Sequence, residues 1–490
     1  MLAVSACAPG SRISDTDWLT ADELLGVRLS IDSTLLAPRF EDAIWAAHVV
    51  DMESGRVLYS RNARKNLIPA SGAKLFTTAT ALETLGPEFR FETVLYADGE
   101  IRGDTLFGDL VVHGSGDPTL SDRYMDDPLS VFRSWADSLL QAGVRVVTGG
   151  IIGDATLFDG QRLGAGWNWD NEQYYYSAQI SALSFFDNCV FVTAAPTSAG
   201  QPATVSWEPR QTSYVSVENR TVTVERGDRL LRRNLRPRGQ NSIVAYSRVP
   251  VGRSARECVT VEDPARFAAH VLVETVRDAG IEIAGGAQSR LIPQVPEDFG
   301  TEVPAATNGW FTDVEHAPPT PTRIARHVSP PLSRIAYQVN KESENLDAEL
   351  LLRSVGAYAA PVDTTVRRGS ASSGVAHVKS IIAAAGGDTT YIGQVDGSGL
   401  SRKNLVTPLN VTHILRYMAR HPNAEVAEAF VASLPIGGLD GTLRSRYADG
   451  APARHQVAAK TGTMTFISSL SGYINTASER TLVFSLICNN

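Results

Sequence analysis

Residues 69–74 read Pro-Ala-Ser-Gly-Ala-Lys and lead directly into the apolar segment Leu-Phe-Thr-Thr-Ala-Thr-Ala-Leu at 75–82. We predict a helix that begins at Ser71 and ends at Gly86-Pro87, because glycine followed by proline commonly ends a helix. A serine three residues before a lysine lies one turn away on the same helix face. A neutral lysine can take the serine proton. The free N–H groups and the positive dipole at the helix start lower the pKa of the lysine. Ser71 is therefore a candidate nucleophile, with Lys74 as its base.

Two further motifs would complete such a site. Ser343 and Asn345, in the run Ser-Glu-Asn at a predicted helix entry, offer a hydroxyl that can relay a proton and an amide that can hold the lysine and a substrate carbonyl. The run Lys-Thr-Gly-Thr at 460–463, on a predicted terminal strand, offers an ammonium and hydroxyls for a carboxylate. Its glycine is expected to leave room for a substrate along the strand edge. The backbone N–H groups of Ser71 and Thr463 would form an oxyanion hole.

The three motifs are informative because of their order. Ser-x-x-Lys and Lys-Thr-Gly each occur once, whereas Ser-x-Asn also occurs at 60–62, where we interpret it as turn residues. Each motif alone fits an ordinary helix cap or strand end. Together, in this order and in these secondary-structure contexts, they indicate nucleophilic catalysis.

Composition limits the class of protein. A chain of 490 residues is too long for one hydrophobic core and should form two or three domains. A net charge of −8 gives no reason to expect nucleic acid as a partner. Only six of the 45 basic residues are lysines, and lysine, unlike arginine, can give up its proton in a protein. This bias is consistent with lysines that have a chemical role.

The four cysteines, Cys7, Cys189, Cys258 and Cys488, match no zinc or redox spacing. We therefore expect no metal, and no organic cofactor is indicated. Val-Ser-Ala before Cys7 resembles the cleavage box of a bacterial lipoprotein signal, although the apolar stretch before it is too short for a signal core. The match is either the tail of a signal or chance, and we favour the first. A lipidated Cys7 would tether the protein to a membrane.

The three motifs are those of the penicillin-recognising serine enzymes. Further segments resemble the low-molecular-mass class C penicillin-binding proteins, of the penicillin-binding protein 4 or DacB type (peptidase family S13). These segments are 114–120, 327–332, 340–346, 396–402 and 434–443, and the resemblance runs from about residue 46 to 475.

The resemblance implies an α+β fold. A penicillin-binding/β-lactamase-like transpeptidase domain, with an antiparallel sheet and helices, would carry two nested, largely β insertion domains. The expected divisions are 16–94 with 300–490 for the catalytic domain, 95–118 with 193–299 for insertion domain II, and 119–192 for insertion domain III.

The implied activity is a serine D-Ala-D-Ala carboxypeptidase/endopeptidase that acts on peptidoglycan stem peptides outside the cytoplasm, needs no cofactor and is acylated by β-lactam antibiotics. Ser71 would attack the peptide carbonyl, and Ser343 would pass a proton to the departing D-alanine. The expected catalytic residues are Ser71, Lys74, Ser343, Asn345 and Lys460. The expected substrate-binding residues are Thr461, Gly462, Thr463, Met464, Ser398, Leu400, Arg402 and Asp170.

Asp170 lies in an aromatic run at 167–176 that resembles the element closing over the free end of the stem peptide. It would bind the ammonium of the diamino acid, with Glu172 as the second choice. The alternative is that Asp170 is a solvated loop acid.

Other functions fit less well. A β-lactamase shares the first and third motifs, but we find no glutamate placed to activate a deacylating water. An esterase would need a Gly-x-Ser-x-Gly elbow and a zinc peptidase a His-Glu-x-x-His, and neither occurs. A non-catalytic peptidoglycan-binding relative would not need the intact Ser71, Lys74 and Lys460.

Overall fold

A computed structural model describes residues 19–292, 321–363, 368–390 and 392–490. The α-helices in these ranges are α1 (Ala21–Leu35), α2 (Lys74–Leu85), α3 (Leu129–Gln141), α4 (Pro264–Asp278), α5 (Leu332–Lys341), α6 (Asn345–Tyr358), α7 (Ala371–Ala384), α8 (Pro408–Ala419) and α9 (Ala424–Ala432). The strands are β1 (Ile44–Asp51), β2 (Val57–Arg61), β3 (Glu92–Arg102), β4 (Thr105–His113), β5 (Val146–Val147), β6 (Ile151–Asp154), β7 (Cys189–Ala195), β8 (Thr204–Glu208), β9 (Ser216–Asn219), β10 (Val222–Val224), β11 (Asn234–Leu235), β12 (Ser242–Ala245), β13 (Arg248–Pro250), β14 (Ala255–Thr260), β15 (Glu282–Ile283), β16 (Ala287–Arg290), β17 (Thr322–Val328), β18 (Val457–Met464), β19 (Ile467–Asn475) and β20 (Thr481–Asn489).

One antiparallel sheet joins strands from distant parts of the chain, in the order β18-β19-β20-β1-β2. Side chains at alternating positions of β1 and β20, such as Ala46, Val50, Val483 and Ile487, belong to the same core cluster as the helices. Burial of one strand face against helices is what alternating apolar residues produce. The predicted α+β fold is confirmed.

Helix α2 lies at the centre of the helical layer, in contact with α5, α6, α7, α8 and α9. Every side chain from Lys74 to Leu82 is buried, as expected for a helix packed on all sides. The helix ends at Leu85, and Gly86 follows with a φ of 87°. This packing removes Lys74 from water.

A second sheet has the order β15-β5-β4-β3-β17, and β6 pairs with β4 and β16. Helices α3 and α4 pack against it through a core that includes Phe132, Trp135 and Phe267. Several strand pairs join segments from different expected divisions: β17 follows residue 300 and pairs with β3, and β5 and β6 lie within 119–192 and pair with β4. The domain boundaries remain a prediction, and residues 16 and 300 lie outside the described residues.

Three small sheets lie between Cys189 and Thr260: β14-β7-β8, β11-β12-β9 and β10-β13. A disulfide joins Cys189 on β7 to Cys258 on the neighbouring strand β14. The cysteine spacing carried no signal for this bond, because the antiparallel pairing brings together residues 69 positions apart.

Within the described ranges, we find no helix with both the length and the apolar character needed to cross a membrane. Cys7 lies outside the described residues.

Candidate active site

Ser71 lies on a single 3-10 turn, Ala70–Ala73, that leads into α2. Ala70 has a φ of 47°, and a left-handed alanine persists only where its surroundings hold it. Gly399 packs directly on this turn, because a Cβ at position 399 would lie 1.9 Å from the Ala70 carbonyl oxygen. The close packing holds the turn and leaves Ser71 half-buried.

Lys74 Nζ lies 3.0 Å from Ser71 Oγ, 2.6 Å from Asn345 Oδ1 and 2.7 Å from the carbonyl oxygen of Ser398. The side chain is completely buried. Burial lowers the pKa of Lys74 to about 8, while the carboxylates of Asp396 and Glu349 act in the opposite direction. An amine with this pKa is neutral in enough molecules near physiological pH to act as a general base.

Lys460 on β18 is the second fully buried lysine of the site. Its Nζ donates to Ser343 Oγ at 2.8 Å and to the carbonyl oxygen of Thr461 at 3.0 Å. Burial lowers the pKa of Lys460 well below its usual range, and the charge of Lys74 adds to this shift. Ser343 is thus the hydroxyl that contacts Lys460.

Asn345 begins α6 and is held at both ends of its amide. Its Oδ1 accepts from Lys74, and its Nδ2 donates to the carbonyl oxygen of Tyr176 at 2.7 Å. Ser343, two residues earlier, has a φ of 66°. The tight turn between α5 and α6 therefore presents both predicted residues to the same pocket.

Strand β18 stands at the edge of its sheet, and Gly462 packs against the Ser71 turn. A Cβ at 462 would lie 2.4 Å from the Pro69 carbonyl oxygen and 2.3 Å from Ser469 Oγ. The protein fills the space that a side chain would take, so a glycine is required for strand and turn to approach each other. The predicted role of Gly462 in substrate binding along the strand edge stays a prediction.

The neighbouring β18 residues differ in exposure. Thr461 is buried and its hydroxyl donates to Thr442 Oγ1 at 2.8 Å, whereas Thr463 is exposed and Met464 is half-buried. Thr463 is thus the hydroxyl of this strand that is open to a ligand.

The loop at 396–402 contributes mainly through its backbone. The carbonyl of Ser398 accepts from Lys74, and its N–H donates to Glu349 Oε1 at 2.8 Å. Leu400 is half-buried, and the exposed Arg402 donates to the Thr465 carbonyl oxygen at 2.9 Å. Arg402 therefore lies beside the turn that joins β18 to β19.

The aromatic run at 167–176 is packed against the same site. Trp167 Nε1 donates to Asp396 Oδ2 at 2.9 Å, and the Tyr176 carbonyl accepts from Asn345. Asp170 is exposed on this run, whereas Glu172 is buried and pairs with Arg238 at 2.7 Å. Of the two acids, Asp170 is the one open to a ligand.

Glu349 and Asp396 were not singled out from the sequence, although both are buried close to Lys74. Glu349 also pairs with Arg353 at 2.9 Å, and both side chains are fully buried. One signal was available: Glu349 follows Asn345 by four residues, which places both on one face of α6. In the described part of the chain, no group of three or more His, Cys, Asp or Glu side chains is arranged to hold a metal ion.

A protein-family model described as the D-Ala-D-Ala carboxypeptidase 3 (S13) family matches residues 27–299 and 311–490. The chain belongs to this family. Among curated proteins, this S13 member is 34% identical over 478 residues to a D-alanyl-D-alanine carboxypeptidase of Actinomadura sp. (strain R39), covering 95% of this chain and 81% of the relative. It is 26% identical over 448 residues to DacB of Haemophilus influenzae, covering 90% of this chain and 84% of the relative.

Solved structures show the same fold. Penicillin binding protein 4 (dacB) of Haemophilus influenzae aligns with a TM-score of 0.73 at 23% identity, covering 94% of this chain and 93% of that chain. A complex of that protein with a β-lactam aligns with a TM-score of 0.66 at 22% identity, covering 91% and 90% of the two chains. The predicted penicillin-binding protein fold is confirmed.

Proposed function

We propose that this S13 family member is a serine D-Ala-D-Ala carboxypeptidase/endopeptidase that cleaves peptidoglycan stem peptides through an acyl-enzyme and is acylated by β-lactams. One observation carries the proposal: the fully buried Lys74 Nζ lies 3.0 Å from Ser71 Oγ. Burial lowers the pKa of Lys74 to about 8, which suits an amine that must accept the hydroxyl proton.

In the proposed reaction these residues act one after another. Ser71 Oγ forms a bond to the carbonyl carbon of the penultimate D-alanine, and its proton passes to Lys74 Nζ. The backbone N–H groups of Ser71 and Thr463 would stabilise the oxyanion. The C–N bond then breaks, and the departing amine takes a proton through Ser343, which contacts Lys460 at 2.8 Å. Water hydrolyses the acyl-enzyme and restores Ser71.

Substrate recognition would use both sides of the site. The terminal carboxylate would bind Lys460, Thr461 and Thr463, with Met464 beside the pocket. The binding site for the stem peptide would be lined by Ser398, Leu400 and Arg402. The exposure of Asp170 beside the site supports its role as the ligand of a diamino-acid ammonium.

β-Lactams test this proposal directly, because their leaving amine stays attached after ring opening. Intact-mass spectrometry after incubation with benzylpenicillin should detect one persistent penicilloyl adduct on the wild type and none on Ser71→Ala. Rapid turnover without an adduct would indicate a β-lactamase. A folded wild type with neither adduct nor turnover would indicate a non-catalytic peptidoglycan-binding relative.

An extracytoplasmic location belongs to the same proposal. The Cys189–Cys258 disulfide supports it, because such bonds persist in oxidising compartments. Lipidation of Cys7 would tether the protein to the membrane. Expression of Cys7→Ala should move the protein from the membrane to the soluble envelope fraction, and an unchanged distribution would contradict the tether.

A further inference from the structure

The middle residue of the motif at 343–345 is tied to a segment far away in sequence. Glu344 stands between Ser343 and Asn345, and its side chain is only 11% exposed. It does not cap α6. Its Oε1 instead accepts from Arg123 Nη1 at 2.5 Å. Arg123, which lies outside the helical layer, therefore holds the motif in place.

Arg123 is itself held in place. Its Nε donates to Asp187 Oδ2 at 2.7 Å, so the guanidinium bridges two carboxylates. The adjacent Tyr124 donates its hydroxyl to Asp347 Oδ2 at 2.6 Å. Glu344 and Asp347 stand three residues apart at the start of α6. Two consecutive side chains of one loop thus hold the first turn of this helix.

The backbone at this point needs such support. Ser343 has a φ of 66° and Asp187 a φ of 55°, and left-handed residues of these types persist only where the surroundings fix them. Burial raises the pKa of Glu344 to about 8, with the acids Asp347 and Asp187 nearby and Arg123 as its hydrogen-bonded cation. Without Arg123 this buried carboxyl would lose that partner, which is unfavourable whether or not the group is ionised. The turn would then rearrange to expose it, and Ser343 and Asn345 would move with it.

We propose that Arg123 is a positioning residue for the acylation step: through Glu344 it fixes the turn that presents Ser343 to Lys460 and Asn345 to Lys74. This inference rests on the proposed function, because it assigns Arg123 to the same acylating site. The insertion between the first and second motifs is then part of the catalytic geometry.

The test is a double-mutant cycle on acylation by benzylpenicillin, measured as the second-order rate constant. Arg123→Met should lower this constant roughly 10- to 100-fold, because a displacement of about 1 Å at reacting groups has effects of this size. Arg123→Met/Glu344→Gln should recover most of the loss, because a neutral amide replaces the carboxyl that has lost its guanidinium partner. Arg123→Lys should lie in between, since an ammonium cannot bridge both carboxylates with the geometry of a guanidinium.

Arg210→Met is the matched control. Arg210 also contacts two acids, Glu274 and Asp278, and neither belongs to the motifs or to the loop of Arg123. The acylation constant of this variant should stay within about twofold of wild type, because such surface ion pairs contribute little. If wild type and this control fail to acylate, the proposed function fails. If both acylate and Arg123→Met does so equally fast, only the positioning role fails.

The pH profile of Glu344→Gln reports the charge effect of Glu344 on Lys74 separately from positioning. The Glu344 carboxyl faces Arg123, Tyr124, Asp347, Asp187, Lys74 and Lys460, and its charge raises the pKa of both lysines. Its removal should therefore shift the acid limb of the acylation profile to lower pH. If Arg123→Met does not fold, Arg123→Lys decides: acylation by Arg123→Lys at the wild-type rate would overturn the proposal.

Discussion

The two buried lysines of the site lie in opposite electrostatic surroundings. Lys74, at the start of α2, has the carboxylates of Asp396 and Glu349 nearby, which limit the fall of its pKa to about 8. Lys460, on β18, has Lys74 as its main charged neighbour, and its pKa falls much further. The comparison indicates that Lys74 is suited to exchange a proton. Lys460 lacks a strong counter-charge, which a substrate carboxylate would supply.

Removing the Lys74 amine should have the largest effect. Lys74→Met is expected to lower the benzylpenicillin acylation constant by roughly 10²- to 10⁴-fold, the range for loss of a general base. Stopped-flow acylation measures this directly. Lys379→Met, which removes an exposed lysine on α7, is the control and should acylate normally. A loss below tenfold for Lys74→Met would contradict its role as base.

Removing the Lys460 amine should have a smaller effect that depends on the substrate. Lys460→Met is expected to slow acylation by a D-Ala-D-Ala peptide roughly 10- to 100-fold, the value of a charged hydrogen bond. With the same peptide carrying an amidated C-terminus, Lys460→Met should reduce the acylation rate less, because this peptide has no carboxylate to bind. Steady-state kinetics on both peptides measures the difference, and equal losses would show that Lys460 does not bind the carboxylate.

The contact that joins the two lysine-bearing elements can be disturbed at Gly462. Gly462→Ala should lower the free energy of unfolding by about 1–3 kcal/mol, because its Cβ would overlap Pro69 and Ser469. Acylation should fall about tenfold as the Ser71 turn is displaced. Thermal unfolding and stopped-flow acylation measure the two effects. Gly26→Ala, which has open space around it, is the control and should not slow acylation.

The smallest change should follow from altering the charge near Lys74. The acylation rate should rise with pH through an apparent pKa near 8, because Lys74 must lose its proton to act as base. Asp396→Asn removes a carboxylate that raises the pKa of Lys74, so the midpoint should move to lower pH. A pH–rate profile for both proteins measures the shift. A midpoint that stays in place or rises would contradict this account.

Much of the site could be predicted because its parts are local. The spacing of Ser71 and Lys74 follows from the helical repeat, and the structure brings them to hydrogen-bonding distance. Ser343 and Asn345 share one turn, and Lys460 lies on the predicted terminal strand. The roles of the thirteen proposed residues remain predictions, and the variants above test Ser71, Lys74, Lys460 and Gly462.

Other features depended on contacts that no local pattern encodes. The close approach at Gly462 has no signal in the sequence, because the atoms beside it, Pro69 O and Ser469 Oγ, come from other elements. The disulfide joins cysteines 69 positions apart through strand pairing. Strand β17 begins at Thr322, yet its pairing with β3 places it in a sheet whose other strands lie before residue 291.

The sequence by itself determined which groups can react and how neighbours along one helix or strand are spaced, since backbone geometry sets these distances. The tertiary structure decided how strongly those groups are perturbed. Burial of Lys74 results from five helices packed around α2, and its charged neighbours Asp396 and Glu349 come from a loop and another helix. Arg123 reaches Glu344 across 221 positions. The burial of a side chain and the charged groups around it depend on contacts from distant parts of the chain, so both are fixed only when the chain has folded.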